Sequence, residues 1–326
     1  MKRTILQTMG RLLLAGFAVM ALQSGAVAQD FPSRPIKFVV PFPPGSATDT
    51  SARYFGRKIT DLTGQPVVVD NKPGANSMIA IRAIQSAPAD GYTVFIGSNS
   101  PLAVNAALFK QLPYDPVADF TPLSLLTRVP GVLIVPADSP FKTVADLVAA
   151  AKAQPGKLNF GFGSAGYQLM GELFNEIAGT QTTGIPFKSA TDSVTAVAAD
   201  TVNFAFVEIS STLELVRGGK IRALAIASPT RSSALPQVPT AHEAGITNMS
   251  AYAWVAAVVA SRTPKAETEK LAELFTRILA MPETQEFYAK LGGETTRGGI
   301  EELRRFQQVE IALWKRVVSF AKVPLQ

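Results

Sequence analysis

The sequence predicts an α/β protein built as two lobes, and three observations carry that prediction. Pro35–Ile96 alternates strand, helix, strand, helix, strand, the pattern of a parallel sheet covered by helices. A second unit of the same kind begins after Val132–Val135. The chain also has 326 residues, 47% of them hydrophobic, which exceeds the roughly 250–300 residues at which a single core divides.

Each element has a local reason. Pro35–Pro41 is a β-branched run closed by proline, hence a first strand. After the loop Phe42–Ala47, Thr48 or Asp49 is expected to cap a helix with Ala52, Phe55, Ile59 and Leu62 on one face and Gly64 as its stop. Gln65–Val69 reads as strand, Asn71–Gly74 as turn, Ser77–Gln85 as helix, Tyr92–Ile96 as strand and Gly97–Ser100 as polar loop. Leu123–Thr127 and Val132–Val135 read as two strands. Thr143 and Asp146 form a capping box for a helix carrying Val144, Leu147, Val148 and Ala151. Leu158–Phe160 is a strand, Gly161–Gly166 a glycine-rich loop, and Leu169–Ile177 a helix stopped by Gly179. Ile185–Phe187, Val202–Val207, Ala223–Ala227 and Trp254–Val259 read as further strands. Three helical stretches close the chain, the first with Pro264 at its start and Leu271, Leu274, Phe275 and Ile278 on one face.

Composition then removes whole classes of chemistry. With no Cys and one His, the chain lacks the residues for a cysteine nucleophile, a disulfide or a multi-histidine zinc site. No metal and no cofactor are expected. Met1–Ala28 reads as a secretory signal peptide. It has a basic start (Lys2, Arg3, Arg11), an apolar stretch Leu12–Leu22, and Ala26-Val27-Ala28 as the cleavage pattern, which makes Gln29 the mature N-terminus. Its apolar core falls short of the roughly 20 residues that span a bilayer. Removing three basic residues lowers the net charge from +6 to +3, and no Lys/Arg run exceeds two residues. Nucleic acid is therefore not an expected partner. The mature chain is expected to be a monomer, free in an oxidising extracytoplasmic space.

Two glycine motifs invite catalytic readings. Gly161-x-Gly163-x-x-Gly166 fits the dinucleotide fingerprint, but the next strand ends in Phe187-Lys188, where an acidic residue should meet the ribose. Ser164 nearly fits a hydrolase nucleophile elbow, with Phe162 in place of the first glycine. Its single candidate base, His242, lies in a segment that reads as a capped turn. A different chemistry suits both lobes. Gly45–Asp49 and Gly163–Gln168 each lead from a strand into a helix, presenting unpaired N–H groups where a carboxylate is favoured. Neither loop contains Lys or Arg. The expected grip on an anion is therefore made by backbone N–H groups and hydroxyls between closing lobes.

These residues also carry a resemblance. Phe31–Asp49 (FPSRPIKFVVPFPPGSATD) looks like the opening of the Bug family, the receptors of tripartite tricarboxylate transporters. Gly64–Asn76 (GQPVVVDNKPGAN), Ala89–Thr93, Leu112–Pro116, Gly219–Ala225 and Val238–Gly245 are similar to further motifs of that family. The resemblance implies a two-lobed type II periplasmic-binding-protein fold, each lobe a mixed, mostly parallel sheet flanked by helices. Lobe one would comprise residues 30–127 plus 254–326, and lobe two residues 128–253. It implies no enzyme, but a receptor delivering a small mono- or dicarboxylate, aromatic or not, to membrane permease subunits. The ligand loops would contribute Phe42, Gly45, Ser46, Ala47, Thr48 and Asp49 from one lobe, and Phe162, Gly163, Ser164, Ala165, Gly166, Tyr167 and Gln168 from the other. Ser98, Asn99, the stretch after Phe187 with Ser189 and Ala190, and Glu208 would complete the lining. Three departures fall around the distal part of the ligand: Gly45-Ser46 where the family usually has two glycines, Glu208 where it usually has Asp, and Tyr167–Met170 in place of a Ser- or His-rich helix start. A hydrolase using Ser164, or a ligand sensor for a signalling kinase, are the competing functions.

Overall fold

The computed structural model describes residues 31–326. The expected signal peptide and cleavage site lie outside the described residues. No helix among these is long and apolar enough to cross a membrane.

Two mixed sheets share one strand. The first has the order β2 (Val67–Asn71), β1 (Ile36–Val40), β3 (Thr93–Ser98), β9 (Tyr252–Ala260), β4 (Phe120–Pro136), with the short β10 (Glu294–Thr295) also on β4. The second runs from β4 through β7 (Phe204–Glu208) and β5 (Asn159–Phe162) to β6 (Thr183–Pro186), with β8 (Ile221–Ile226) also on β4. In each sheet three strands lie parallel, β2-β1-β3 and β6-β5-β7. Every antiparallel pair contains β4 or β9.

The largest correction concerns β4. Pro130-Gly131 reads as a break, yet the 17-residue strand passes straight through it. Proline and glycine are tolerated there because the partners change at that point. Pro130 pairs with Tyr252 in the first sheet, and Gly131 pairs with Glu208 in the second. The Gly131 N–H donates to Ala251 O at 2.9 Å, and its carbonyl accepts from Ala227 N at 2.7 Å. Proline's missing N–H thus falls where one ladder hands over to the next.

Helices pack on both sheets. Those of the first half are α1 (Ala47–Thr63), α2 (Met78–Ser86) and α3 (Asn105–Leu108), the last entered through a π turn over Ser100–Val104. The loop expected at Gly97–Ser100 is therefore strand end and turn. The second half adds α4 (Val144–Ala153), α5 (Ala165–Ala178), α6 (Ala190–Ala198) and α7 (Leu213–Arg217). The last two escaped a reading by apolar spacing, because α6 is built from Ala, Thr, Ser and Val with one Asp and α7 has a single turn. Three helices end the chain: α8 (Lys265–Leu279), α9 (Pro282–Lys290) and α10 (Ile300–Ala321). Strand ends also shift: β2 begins two residues later than expected and β5 runs on to Phe162.

Aromatic clusters fill the cores. Phe38, Phe55 and Phe275 pack together beneath α1 and α8. Phe160, Phe174, Phe204 and Phe206 do the same under α5. A third device ties α10 to β9: Glu310 Oε2 accepts from the indoles of Trp254 at 2.8 Å and Trp314 at 3.1 Å. Burial pushes the pKa of Glu310 up, and the two indole bonds oppose that rise. Glu310→Ala leaves two buried indole N–H groups without their acceptor and should cost about 2–4 kcal/mol. Urea unfolding followed by the fluorescence of these two tryptophans measures it directly.

Candidate functional site

Both expected anion loops end in a helix N-terminus, but they are built differently. In the first, Ser46 rather than Thr48 or Asp49 is the N-cap, and its hydroxyl accepts from Asp49 N at 3.2 Å. Asp49 is buried and turned into the loop's own framework. Its carboxylate accepts from Gly45 N at 2.9 Å, Arg53 Nε at 3.0 Å and Asn71 Nδ2 at 2.9 Å. Burial alone would raise its pKa, but the bonds from Arg53, Gly45 and Asn71 outweigh that and hold it below 3.8. Gly45 has φ +84°, a conformation that glycine adopts without strain. Of the four N–H groups that α1 leaves open, Ser46 N bonds Pro43 O and Asp49 N bonds the cap. Those of Ala47 and Thr48 remain to face the cleft.

In the second loop the N-cap is Ser164, whose side chain makes no capping bond and is left for a ligand. This loop depends on two close approaches. A Cβ on Gly163 would lie 2.0 Å from the carbonyl carbon of Ser189, so only glycine lets the loop before α5 rest on the loop before α6. A Cβ on Gly166 would lie 2.6 Å from Asn99 Nδ2. Gly166 N also donates to Ser100 Oγ at 3.2 Å, joining α5 to the π turn after β3. Asn99 is 4% exposed, and its Nδ2 has no acceptor. A buried N–H donor without a partner is costly, and beside a helix N-terminus it suits an anion.

A central compartment collects these groups. Phe42, Ser46, Ala47 and Thr48 line it from the first loop, Ser98 and Asn99 from the end of β3 and the residue after it, and Gly163, Ser164 and Tyr167 from the second loop. Ser189, Ala190 and Glu208 close it, together with Pro43, Ala253, Trp254 and Val255, and no Lys or Arg lines it. Two further compartments share its walls. One continues past Phe42, Pro43, Gly163 and Ser164 to Asn76, Asn105, Ala165 and Lys188. The other continues past Ala47 and Glu208 to Gly45, Thr50, Ser51, Thr127, Thr191, Ser211 and Tyr288.

Of the residues expected from sequence, Asp49, Phe162, Gly166 and Gln168 line none of the three. Phe162 packs on Phe160, Gly166 supports Asn99, and the Gln168 backbone bonds Ser164 O at 3.0 Å. Trp254 and Tyr288 went unexpected, because they sit in segments whose apolar spacing reads as core. Lys188 opens the stretch after Phe187 that the resemblance expects in the cleft.

Glu208, at the end of β7, is 4% exposed and accepts a short hydrogen bond from the Tyr167 hydroxyl. Burial pushes its pKa up, with the Tyr167 bond opposing; burial and the Glu208 charge together raise that of Tyr167. The hydrolase reading finds no base here: His242 is exposed in its turn and lines none of the compartments.

Two sheets that share β4, with helix N-termini facing one cleft, form the architecture of a periplasmic binding protein. The model of the tripartite tricarboxylate transporter family receptor matches residues 52–322, and the chain belongs to that family. Protein BugT of Bordetella pertussis is 35% identical over 298 residues, covering 89% of this chain and 90% of its own. A Pseudomonas protein encoded between tcbD and tcbE is 34% identical over 314 residues, covering 94% and 93%. Among solved structures, a Rhodopseudomonas palustris protein with adipate superposes with TM-score 0.86 at 30% identity, covering 90% of this chain and 99% of that one. MatC from the same organism, with bound malate, gives 0.82 at 30% identity, covering 88% and 100%. The fold and family resemblance drawn from the sequence is thus confirmed, and a receptor family is not an enzyme class.

Two outcomes test this construction. Gly163→Ala should destabilise the protein by about 1–3 kcal/mol or more, because its clash is with backbone that cannot rotate away; thermal unfolding reports it. The ionised Asp49 stabilises the fold at neutral pH, since its folded pKa is depressed. That contribution is lost as pH falls through the folded value, below 3.8. Asp49→Asn should therefore flatten the acid limb of stability against pH.

Proposed function

We propose that the protein is a periplasmic receptor that holds a small carboxylate in the central compartment and presents it to the membrane subunits of a tripartite tricarboxylate transporter. One observation carries this reading. The unpartnered amide of Asn99 and the uncapped hydroxyl of Ser164 meet beside two helix N-termini, in a compartment lined by no basic side chain. Such a site offers N–H and O–H donors converging on one anion, with no fixed cation to define its charge beyond one carboxylate. The relatives solved with adipate and malate support the ligand class.

The lobes divide near residues 127/128 and 253/254 on this proposal. β4 and β9 then act as the two connecting strands, and closure swings the Ser164 loop against Ser46–Thr48. The chain works as a monomer and needs no metal or cofactor for this task. Export through residues 1–28 places it where such a transporter collects solute.

Trp254 lines the compartment and is one of two tryptophans in the chain, so carboxylate binding should change intrinsic fluorescence saturably. The change should persist in Trp314→Phe. Ser164→Ala should weaken binding by roughly tenfold, about 1.4 kcal/mol, without abolishing it. Affinity should fall only a few-fold between low and moderate salt, because the donors are buried. A panel of mono- and dicarboxylates giving no saturable signal in ligand-free protein would refute the proposal, and ester hydrolysis lost in Ser164→Ala would replace it with an enzyme.

A further inference from the structure

The cleft has electrical polarity along its length. Lys188 lines the compartment at one end, beside Ser164 and Ala165. Glu208 stands at the other, forming a wall common to the central compartment and the one beyond. No Lys, Arg or His lines that far compartment, and among the described residues no salt bridge reaches Glu208. The other polar side chains there are hydroxyls, from Thr50, Ser51, Thr127, Thr191, Ser210 and Ser211, together with Tyr288.

Tyr288 adds an independent observation. It is 2% exposed, packed edge-on against Tyr54 and Phe287 and tilted on Phe55, and its hydroxyl lies beside that of Ser51 with no hydrogen bond of good geometry. A buried hydroxyl without a partner, on a wall of a hydroxyl-lined space, is a group that a ligand can satisfy. A second carboxylate would not suit this space. It would meet Glu208 with no cation to balance the pair, so the two could coexist only as buried like charges or by taking up a proton. A group that donates N–H or O–H would instead satisfy Glu208 and Tyr288 together.

We propose that the compartment between Glu208 and Tyr288 is a subsite for a hydrogen-bond donor at the end of the ligand distal to its carboxylate. The receptor therefore takes carboxylates bearing a hydroxyl, carboxamide or ammonium group in preference to dicarboxylates. This rests on the carboxylate-receptor reading above. The bound molecule lies with its carboxylate toward Ser164 and Lys188 and its donor toward Glu208.

The test compares matched ligands. Four-, five- and six-carbon carboxylates carrying methyl, hydroxyl, carboxamide, ammonium or a second carboxylate at the far end are titrated against the full chain by Trp254 fluorescence and calorimetry. The best hydroxyl, carboxamide or ammonium member should bind at least tenfold tighter than the dicarboxylate of its length. Glu208→Gln removes the charge but keeps an acceptor, so the dicarboxylate should gain and the ratio collapse. Tyr288→Phe keeps the ring packing and should reduce the advantage of the hydroxyl ligand over its methyl counterpart several-fold. Melting curves of both variants establish that they fold, and either one alone suffices. A dicarboxylate that binds wild type as tightly as its carboxamide counterpart, or a ratio unmoved by both substitutions, overturns the proposal while leaving a carboxylate receptor. Failure of every ligand in the series, the plain carboxylates included, refutes the underlying reading as well.

Discussion

The cleft depends on backbone meeting backbone without a side chain between. At Gly163 the chain before α5 runs so close to Ser189 that a methyl group would sit 2.0 Å from a carbonyl carbon. At Gly166 the first turn of α5 presses on the Asn99 amide, with room for nothing larger than hydrogen. These two contacts set where the α5 terminus points, and with it the Ser164 hydroxyl and the open N–H groups. The same packing strips the Asn99 amide of water and leaves its Nδ2 without an acceptor. A site of this kind draws its charge preference from peptide dipoles, which stay in place at every pH.

The sharing of β4 between the sheets gives that arrangement its frame. Because one strand belongs to both ladders, the ends of β1, β3, β5 and β7 open toward a common seam. Trp254 then serves two purposes. It lines the cleft from β9 and donates its indole N–H to Glu310 on α10. The floor of the cleft is thereby anchored to the longest of the described helices, so packing of the C-terminal segment and shape of the cleft are coupled.

Much of this was legible in the sequence, for identifiable reasons. Short βα loops announce themselves through glycine and small polar residues at a strand end, and Gly45–Thr48 and Gly163–Ser164 fall where that pattern predicts. The family resemblance named Ser98, Asn99, Ser189 and Glu208, which no periodicity singles out and which all line the central compartment. What escaped is equally specific. Pro130-Gly131 looks like a break because its local chemistry is that of a turn, and only the exchange of strand partners makes it tolerable. Asp49 looks like a ligand-facing acid, but its three bonds within the protein show a residue consumed in holding its own loop. Tyr288 carries the spacing of a core residue and does pack as one, so its hydroxyl becomes visible only when the partners around it are counted.

The two serines that begin α1 and α5 show how one local motif divides into two roles. Ser46 spends its hydroxyl on Asp49 N, and Asp49 in turn fixes Gly45 and draws in Arg53. The first loop is thus a closed circuit, rigid before any ligand arrives, offering only the N–H groups of Ala47 and Thr48. Ser164 makes no such bond, so the second loop keeps an unspent hydroxyl and borrows its stiffness from Ser189 and Ser100. A rigid half and a half with a free donor suit a receptor that must both hold a solute and release it. The entropy of ordering the first loop is settled in folding, and the bonds formed on closure fall to the second.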